Sequence, residues 1–399
     1  MADKSSATAG EWALEPVLDW VFAEGRQLRS NNQFVKQLAC QLLAAGAPLD
    51  RLMVGIRVLH PLLVGISETW LRSTGETRHI ETVRGIRLSD RYIGSPMQAI
   101  YEGQKPVQQR LDNLPDDAHR AYTELAEMGH IDYLGIPVFI GDEPGAALIF
   151  STCRDSGFDE HDLRQFRKLA NYLAPLFEAH KLRRLSRTLM DTYVGKRTGE
   201  KVLSGMIQRG DADVINAALW FSDLRNFTRL TETLPAQQLL QMLNEYFEFV
   251  SAAVTARGGE ILRFIGDAML IVFPINEGMC QKTACNAALE AALDAHDTLA
   301  TLNHRRRRHG QPEIQFGVGL NVGEVIYGNV GAPDRLDFTV MGPAVNLSAR
   351  LESLTKSLDS DILYSGSFAA MIDAPSRDLG VHEMKGVAEA QAVFAPSAD

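Results

Sequence analysis

The chain has 399 residues, of which 45% are hydrophobic and 23% charged, so length and composition predict two or three globular domains. The 40 Lys and Arg against 50 Asp and Glu give a net charge of -10, which argues against a nucleic-acid binder, since polyanions are bound by excess basic side chains. The N-terminal residues contain no apolar signal region, and no later apolar run is long and unbroken enough to span a bilayer. We therefore expect a soluble, cytoplasmic protein with no membrane span.

The first half of the chain combines helix and strand patterns. Helical periodicity from Asn31 to about Ala45 is followed by short apolar runs that are separated by Gly, Asp and Pro turns. A long helical stretch then begins near Phe158, with Asp159 placed to cap it. A mixed sheet that is flanked by helices and closed by a long helix resembles a GAF-type sensor domain. The alternative is a structural domain without a ligand, because the sequence shows no diagnostic binding motif.

The stretch 183–210 is rich in Arg, Lys, Thr and Gly and predicts a helical linker that transmits signals between two folded units. We accordingly divide the chain into a GAF-like sensor or regulatory domain over 1–182, this linker, and a second domain over 211–399. The sequence does not specify whether the sensor domain receives a small molecule or a protein.

The second domain begins with an apolar strand that runs into a polar turn at Asp223. An amphipathic helix over 235–259 and a hairpin over 260–274 follow, and a second helix extends from about Met279 to His304. We expect a strand pair in 316–331, then a strand, a helix from about Ala344 and two closing strands. This order predicts an α+β fold with a ferredoxin-like βαββαβ core.

Two carboxylates stand at strand ends in this domain. Asp223 follows the buried strand, and Asp267 lies in the tight turn of the apolar hairpin. Each could simply stabilise a turn or cap a helix. Two carboxylates that converge repel each other unless a cation lies between them, so together they favour a site for Mg²⁺ or Mn²⁺.

Five segments of the second domain closely resemble the class III nucleotidyl cyclases, the adenylate/guanylate cyclase family. They occur in order and at the usual spacing: FSDLRNFT at 221–228, FIGDAMLIVFP at 264–274, GVGLNVGEVIYGNVG at 317–331, FTVMGPAVNLSARLE at 338–352 and MKGVAEAQAVF at 384–394. The ordered set is far more specific than any one segment.

The resemblance implies an activity: the ribose 3′-oxygen attacks the α-phosphorus of a nucleoside triphosphate and pyrophosphate leaves. Asp223 and Asp267 match the aspartates that hold two Mg²⁺ or Mn²⁺ ions. Asn346 matches a residue that orients the ribose, and Arg350 one that stabilises charge on the α-phosphate. In this family the aspartates and the Asn/Arg pair of one site come from different chains, which predicts a homodimer with composite active sites.

The resemblance also implies substrate contacts. Lys385 matches a lysine on the terminal phosphates, although a solvated lysine is the alternative. Some relatives carry Arg at the position of Gly317, so triphosphate binding here relies more on metal, Lys385 and the backbone amides from Leu224 to Phe227.

Two positions choose the purine in this family, and here they are Arg263 and Thr339. A cation cannot accept the hydrogen bonds that guanine donates, but it can donate to adenine, so ATP is favoured. The prediction is an adenylate cyclase; a guanylate cyclase, or a catalytically silent nucleotide-binding module, is the alternative.

Overall fold

The structure is a computed structural model that describes residues 11–275 and 278–397. The N-terminal residues 1–10, for which the sequence predicts no signal region, lie outside this range. The chain forms two compact units, one up to Leu189 and the other from Met190 onward. In the described part of the chain, no helix is both long enough and apolar enough to cross a membrane.

An antiparallel sheet with strand order β3-β2-β1-β6-β5-β4 forms the centre of the first unit. Its strands are β1 Arg51–Arg57, β2 Leu63–Leu71, β3 Thr77–Val83, β4 Val107–Arg110, β5 Asp132–Ile140 and β6 Glu143–Thr152. Five helices accompany it: α1 Glu15–Ala23, α2 Asn31–Ala44, α3 Pro96–Gly103, α4 Arg120–Glu127 and α5 Glu160–Tyr193.

The two faces of this sheet differ because successive side chains of a strand point to opposite faces. On one face, Leu52, Val54 and Ile56 of β1 join the large core that α1, α2 and α5 cover. On the other, Met53 packs in a smaller cluster with residues of α3 and α4. The second face is therefore less completely filled with apolar side chains.

The long helix α5 begins as the sequence predicts. The Asp159 carboxylate accepts a hydrogen bond from the Asp162 amide at 2.9 Å, which satisfies a free amide of the first turn. Its buried residues extend only as far as Phe177, and the helix continues to Tyr193.

The second unit contains an eight-stranded sheet with order β13-β14-β12-β10-β7-β9-β8, and β11 pairs with β10. Its strands are β7 Ala212–Leu224, β8 Glu260–Ile265, β9 Ala268–Pro274, β10 Phe316–Ala332, β11 Arg335–Met341, β12 Ile362–Ser365, β13 Ser376–His382 and β14 Gln391–Pro396. Its helices are α6 Lys196–Leu203, α7 Phe227–Thr233, α8 Ala236–Ala256, α9 Gln281–Arg308, α10 Pro343–Leu354 and α11 Gly366–Ala369.

One prediction for this sheet was wrong. The region 316–331 is not a strand pair but lies within the single strand β10, which pairs continuously with β7 from Phe316 to Gly328. Its glycines mark close approach rather than turns, as glycine in a strand often does. A Cβ at Gly319 would lie 2.1 Å from the carbonyl oxygen of Ser348, so α10 rests directly on this strand.

The helix α6 packs on the face of the sheet opposite α8 and α9. Val202 contacts the cluster formed by β7, β8, β9, β10 and β11, and Thr198 is fully buried with its Oγ1 2.7 Å from the Tyr327 hydroxyl. The Glu260 carboxylate accepts a hydrogen bond from the Arg197 amide at 3.0 Å, which ties the first turn of α6 to the start of β8. Part of the stretch 183–210 is thus packed against the sheet of the second unit.

Candidate active site

The sheet register brings the two predicted metal-binding aspartates together. Ser222 of β7 pairs with Met269 of β9, so Asp223, the next residue, faces the turn that contains Asp267. Gly266 has a φ of 67°, a left-handed conformation that glycine adopts without strain, and this lets the β8–β9 turn stay tight. The two carboxyl groups lie within hydrogen-bonding reach of each other.

The pair has an electrostatic cost. Burial, together with the neighbouring Asp223, raises the pKa of Asp267 to about 6. Behind the pair, the buried Tyr246 hydroxyl donates a hydrogen bond to Ser222 at 3.0 Å and so fixes the end of β7.

Glu352 is a third carboxylate near this pair. It is only 3% exposed, and its Oε1 atom has no hydrogen-bond partner among the described residues. Burial and the charge of Asp223 raise the pKa of Glu352 to about 7. In the sequence, Glu352 stands in the segment VNLSARLE without any signal of a role. Only the packing of α10 on β10 shows where its side chain points.

These carboxylate oxygens fit a hard divalent cation, because three buried or partly buried carboxyl groups lie near one another with too little positive charge around them to balance their negative charge. The described residues contain no cluster of three or more His, Cys, Asp or Glu side chains arranged to hold a metal. A site with two carboxylates suits Mg²⁺, which usually completes its coordination with water and substrate phosphates.

The structure does not bring Asn346 and Arg350 to the aspartates of their own chain. Both side chains are exposed on α10, and in the described part of the chain no hydrogen bond or ion pair joins them to Asp223 or Asp267. Glu352 lies two residues after Arg350, which places it on nearly the opposite side of the helix. The face of α10 that meets the aspartates is therefore not the face that carries Asn346 and Arg350.

The two predicted base-selecting residues lie on neighbouring parts of the sheet. Arg263 of β8 is exposed and forms an ion pair with Asp337 of β11. Thr339 is 8% exposed and lies two residues further along β11, on the same face as Asp337. The structure thus connects Arg263 to the strand of Thr339 through Asp337, which the sequence analysis did not identify.

The predicted triphosphate contacts are less well assembled. Lys385 is exposed in the turn between β13 and β14, and Leu224 is buried at the end of β7. The Arg225 amide already donates to the carbonyl of Gln315 at 2.8 Å, so this amide is engaged within the protein. Phe227 begins α7 and is partly buried against the main core of the unit.

Lys356 is a cation near the site that the sequence analysis missed. It is exposed just after α10, and its charge lowers the pKa of both Asp267 and Glu352, although burial outweighs this effect. A single lysine in a polar stretch gives no sequence signal of this proximity.

Comparison with known families identifies both folded units. Residues 212–391 match the adenylate and guanylate cyclase catalytic domain, and residues 35–175 match the GAF domain. The chain therefore contains a catalytic domain of the adenylate and guanylate cyclase family, preceded by a GAF domain.

Curated relatives match the catalytic part. Adenylate cyclase 1 of Rhizobium meliloti is 32% identical over 176 residues, which is 44% of this chain and 26% of the relative. The adenylate cyclase of Anabaena cylindrica is 32% identical over 173 residues, 42% of this chain and 33% of the relative. The chain thus spans a third or less of the length of these two proteins.

Solved structures similar to this chain include the adenylyl cyclase CyaB from P. aeruginosa, at 29% identity and a TM-score of 0.44, covering 47% of this chain and 96% of that one. The guanylyl cyclase Cya2 is 28% identical with a TM-score of 0.41, covering 46% of this chain and 92% of that one.

Proposed function

We propose that this chain converts ATP to 3′,5′-cyclic AMP and pyrophosphate as a homodimer, under the control of its N-terminal GAF domain. The observation that carries the proposal is the meeting of Asp223 and Asp267 where β7 and the β8–β9 hairpin end. The names of the two adenylate cyclase relatives support the choice of reaction.

In this proposal Asp223 and Asp267 hold two Mg²⁺ or Mn²⁺ ions. Such ions, when bound, neutralise phosphate charge and lower the pKa of the ribose 3′-hydroxyl that attacks the α-phosphorus. The protein itself contributes a rigid pair of carboxylates, because Tyr246 and Ser222 fix the end of β7 behind them. Positioning and electrostatic stabilisation account for most catalysis in phosphoryl transfer.

The placement of α10 supports a composite site. Asn346 and Arg350 are exposed and turn away from the aspartates of their own chain, so a second chain has to supply them. In a two-fold dimer each chain gives its aspartates to one site and its Asn/Arg pair to the other. Asn346 would orient the ribose, and Arg350 would stabilise charge on the α-phosphate.

The charge at Arg263 supports ATP as the substrate. Arg263 offers only hydrogen-bond donors, which adenine N1 can accept and guanine N1–H cannot. The ion pair with Asp337 holds the guanidinium beside β11, the strand that carries Thr339. Lys385 and backbone amides of the turn from Leu224 to Phe227, other than the engaged amide of Arg225, are proposed to contact the terminal phosphates.

The first experiment measures turnover. Purified protein with Mn²⁺ and ATP is expected to form cyclic AMP, and Asp223→Ala or Asp267→Ala should lower the rate at least about 1,000-fold, since metal stabilisation is worth several kcal/mol. Asp297→Ala, on the exposed surface of α9, serves as the matched control. Turnover that survives in either aspartate variant contradicts the metal assignment, and a faster rate with GTP identifies a guanylate cyclase. Nucleotide binding without turnover would indicate the silent module.

The second experiment tests the composite site. Asp223→Ala and Arg350→Ala are each expected to be inactive alone. Mixing them allows heterodimers with one intact site, so about a quarter of wild-type activity should return after subunit exchange. A site built within one chain predicts no recovery.

Regulation is tested by comparing the full chain with residues 190–399. Different rates of the two proteins at equal concentration of catalytic sites support control by the N-terminal domain. Equal rates, with every candidate effector that is added, count against such control.

A further inference from the structure

The first unit contains a cavity of about 530 Å³ on the less filled face of its sheet. Its floor consists of β1, β2 and β3, and its roof consists of α3, α4 and the segment that follows β3. Gly55 of β1 helps to keep it open, because a Cβ there would lie 3.4 Å from both the Tyr101 hydroxyl and the Met97 methyl group. A cavity of this volume suits a small organic ligand.

The charge around this cavity is strongly one-sided. Five arginines line it, and across the described residues none of the five forms an ion pair. They are Arg51, Arg57, Arg78, Arg87 and Arg91. The single acidic side chain in the lining, Glu124, is engaged by Arg120 at 2.6 Å.

One end of the cavity carries a row of hydrogen-bond donors without acceptors. Arg51 and Tyr133 line this end of the cavity. Ser151, which is outside the lining, pairs with both in the register of β1, β6 and β5, so it lies between them on the same face of the sheet. The Arg51 Nη1, Ser151 Oγ and Tyr133 hydroxyl atoms are all buried, and none has a partner in the described part of the protein. Arg51 Nη2 reaches only the Met53 sulfur, at 3.6 Å.

From this end the cavity continues along β1 over apolar side chains. Met53, Ile80 and Met97 line its middle. Arg57 lies roughly 20 Å from Arg51 along the strand, stacked on the Tyr101 ring at 5.1 Å. In the described lining there is no Asn, Gln, His or Asp side chain with which to read the edge of a nucleobase.

We propose that this cavity binds an organic anion with an apolar body, its carboxylate or phosphate group held by Arg51 and Tyr133. Buried donors left without acceptors are costly, and an anionic group supplies the acceptors. The methionines and Ile80 take the apolar body because flexible, apolar side chains adapt to its shape. This assignment concerns binding alone and does not depend on which nucleotide the second unit converts.

The test uses the full chain and three probes that share one body: octanoate, octyl phosphate and octanol. Calorimetry without ATP should show one octanoate or octyl phosphate bound per chain, and the tighter of the two identifies the head group. Octanol should bind at least about tenfold more weakly, because it lacks the charge that strengthens hydrogen bonds to arginine. Octanol binding as tightly as octanoate overturns the proposal, as does cyclic AMP binding more tightly than either anion.

A pair of variants separates a ligand site from a structural role. Arg51→Met should weaken octanoate binding at least about tenfold yet raise the melting temperature, since it removes an uncompensated buried charge. Arg57→Met should weaken binding less, and Arg29→Met, at an exposed position outside the lining, should change neither quantity. A lower melting temperature with unchanged octanoate binding in Arg51→Met would contradict the proposal.

Discussion

The two units each contain an interior site with charge of one sign in excess, and the signs are opposite. In the first unit five arginines surround a cavity whose one carboxylate is already engaged. In the second, Asp223, Asp267 and the buried Glu352 gather, and among the described residues the positive charges that act on them are those of Lys356 and of Arg225, which already pairs with Asp361. In each site part of this charge is buried without a hydrogen-bond partner among the described residues, at Arg51 Nη1 in the first and at Glu352 Oε1 in the second. Burying unpaired charge is unfavourable, so such an excess indicates where a partner of opposite charge binds.

The excess arises differently in each unit. Around the cavity, arginines extend from separate strands and a loop, and flexible stems separate their charges. At the catalytic site, register and a tight turn force two carboxyl groups together, and α10 adds a third. We therefore expect each carboxylate to destabilise the folded protein more than each arginine does. Substituting a carboxylate should accordingly change the free energy of unfolding more than substituting an arginine.

The largest expected effect follows from removing one charge of the close pair. Asp267→Asn should lower cyclic AMP formation at least about 1,000-fold, because metal binding is lost. The same change should raise the free energy of unfolding by about 1–2 kcal/mol at pH 7 without metal, after allowance for partial exposure. Urea titration in EDTA measures the second quantity, and destabilisation by this variant would show that the pair is not strained.

The next prediction concerns the close contact between Gly319 of β10 and the backbone of α10, the helix that carries Glu352. Gly319→Ala should reduce the free energy of unfolding by about 3 kcal/mol, because its Cβ would meet the backbone of α10. Gly103→Ala, whose Cβ would lie 4.0 Å from the Lys105 Cγ atom, an ordinary van der Waals contact, is the matched control. Thermal unfolding compares the two, and equal effects would mean that α10 can move away from β10 easily.

The third prediction concerns how the unfolding free energy depends on pH through the carboxyl group of Glu352. The pKa of Glu352 is raised to about 7 in the folded state, so the folded protein holds its proton over a range where the unfolded chain has lost it. The contribution of Glu352 is thus most favourable at low pH and is lost as pH rises through about 7. Glu352→Gln should match the wild type near pH 4 and exceed its unfolding free energy by roughly 2 kcal/mol above pH 7.5. The exposed Glu232→Gln serves as the control, and a pH-independent difference for Glu352→Gln would contradict the expectation.

The smallest effect should come from a charge at the catalytic site that already has a partner. Asp337→Asn releases Arg263 from an exposed ion pair, and such pairs contribute between about 0 and 1 kcal/mol. We expect a change of less than about threefold in KM for ATP, with kcat unchanged. Steady-state kinetics with ATP and GTP measure this change. A change in KM larger than about threefold would contradict the prediction and show that the ion pair holds Arg263 rigidly in place.

Local patterns predicted most of the fold. The apolar periodicity, the Asp159 cap and the Gly266–Asp267 turn each describe a structure set by neighbouring residues, and the structure contains all three. The length of β10 was mispredicted, because its glycines resemble turn signals in sequence. They are required by α10 and β7, which lie far away in the chain.

The two aspartates of the candidate site could be predicted from the sequence, whereas the other charged residues around them could not. Asp223 and Asp267 stand at strand ends that register brings together, so their convergence followed from topology. Glu352, Lys356 and Asp337 gave no comparable signal, since their relevance depends on which face of a helix or strand they occupy in the folded unit. The arginine-lined cavity was missed for the same reason: its charges come from two strands, β1 and β3, and from the segment that follows β3.

The packing of α6 has a practical consequence for the choice of fragment boundaries in this protein. A fragment that starts at residue 211 lacks Thr198 and Val202, so it leaves the Tyr327 hydroxyl and an apolar sheet face open to solvent. It also frees the Glu260 carboxylate at the beginning of the strand that carries Arg263. Such a fragment is expected to aggregate, whereas one that starts at residue 190 keeps this face covered. Fusions to other sensor modules should therefore be joined upstream of Met190.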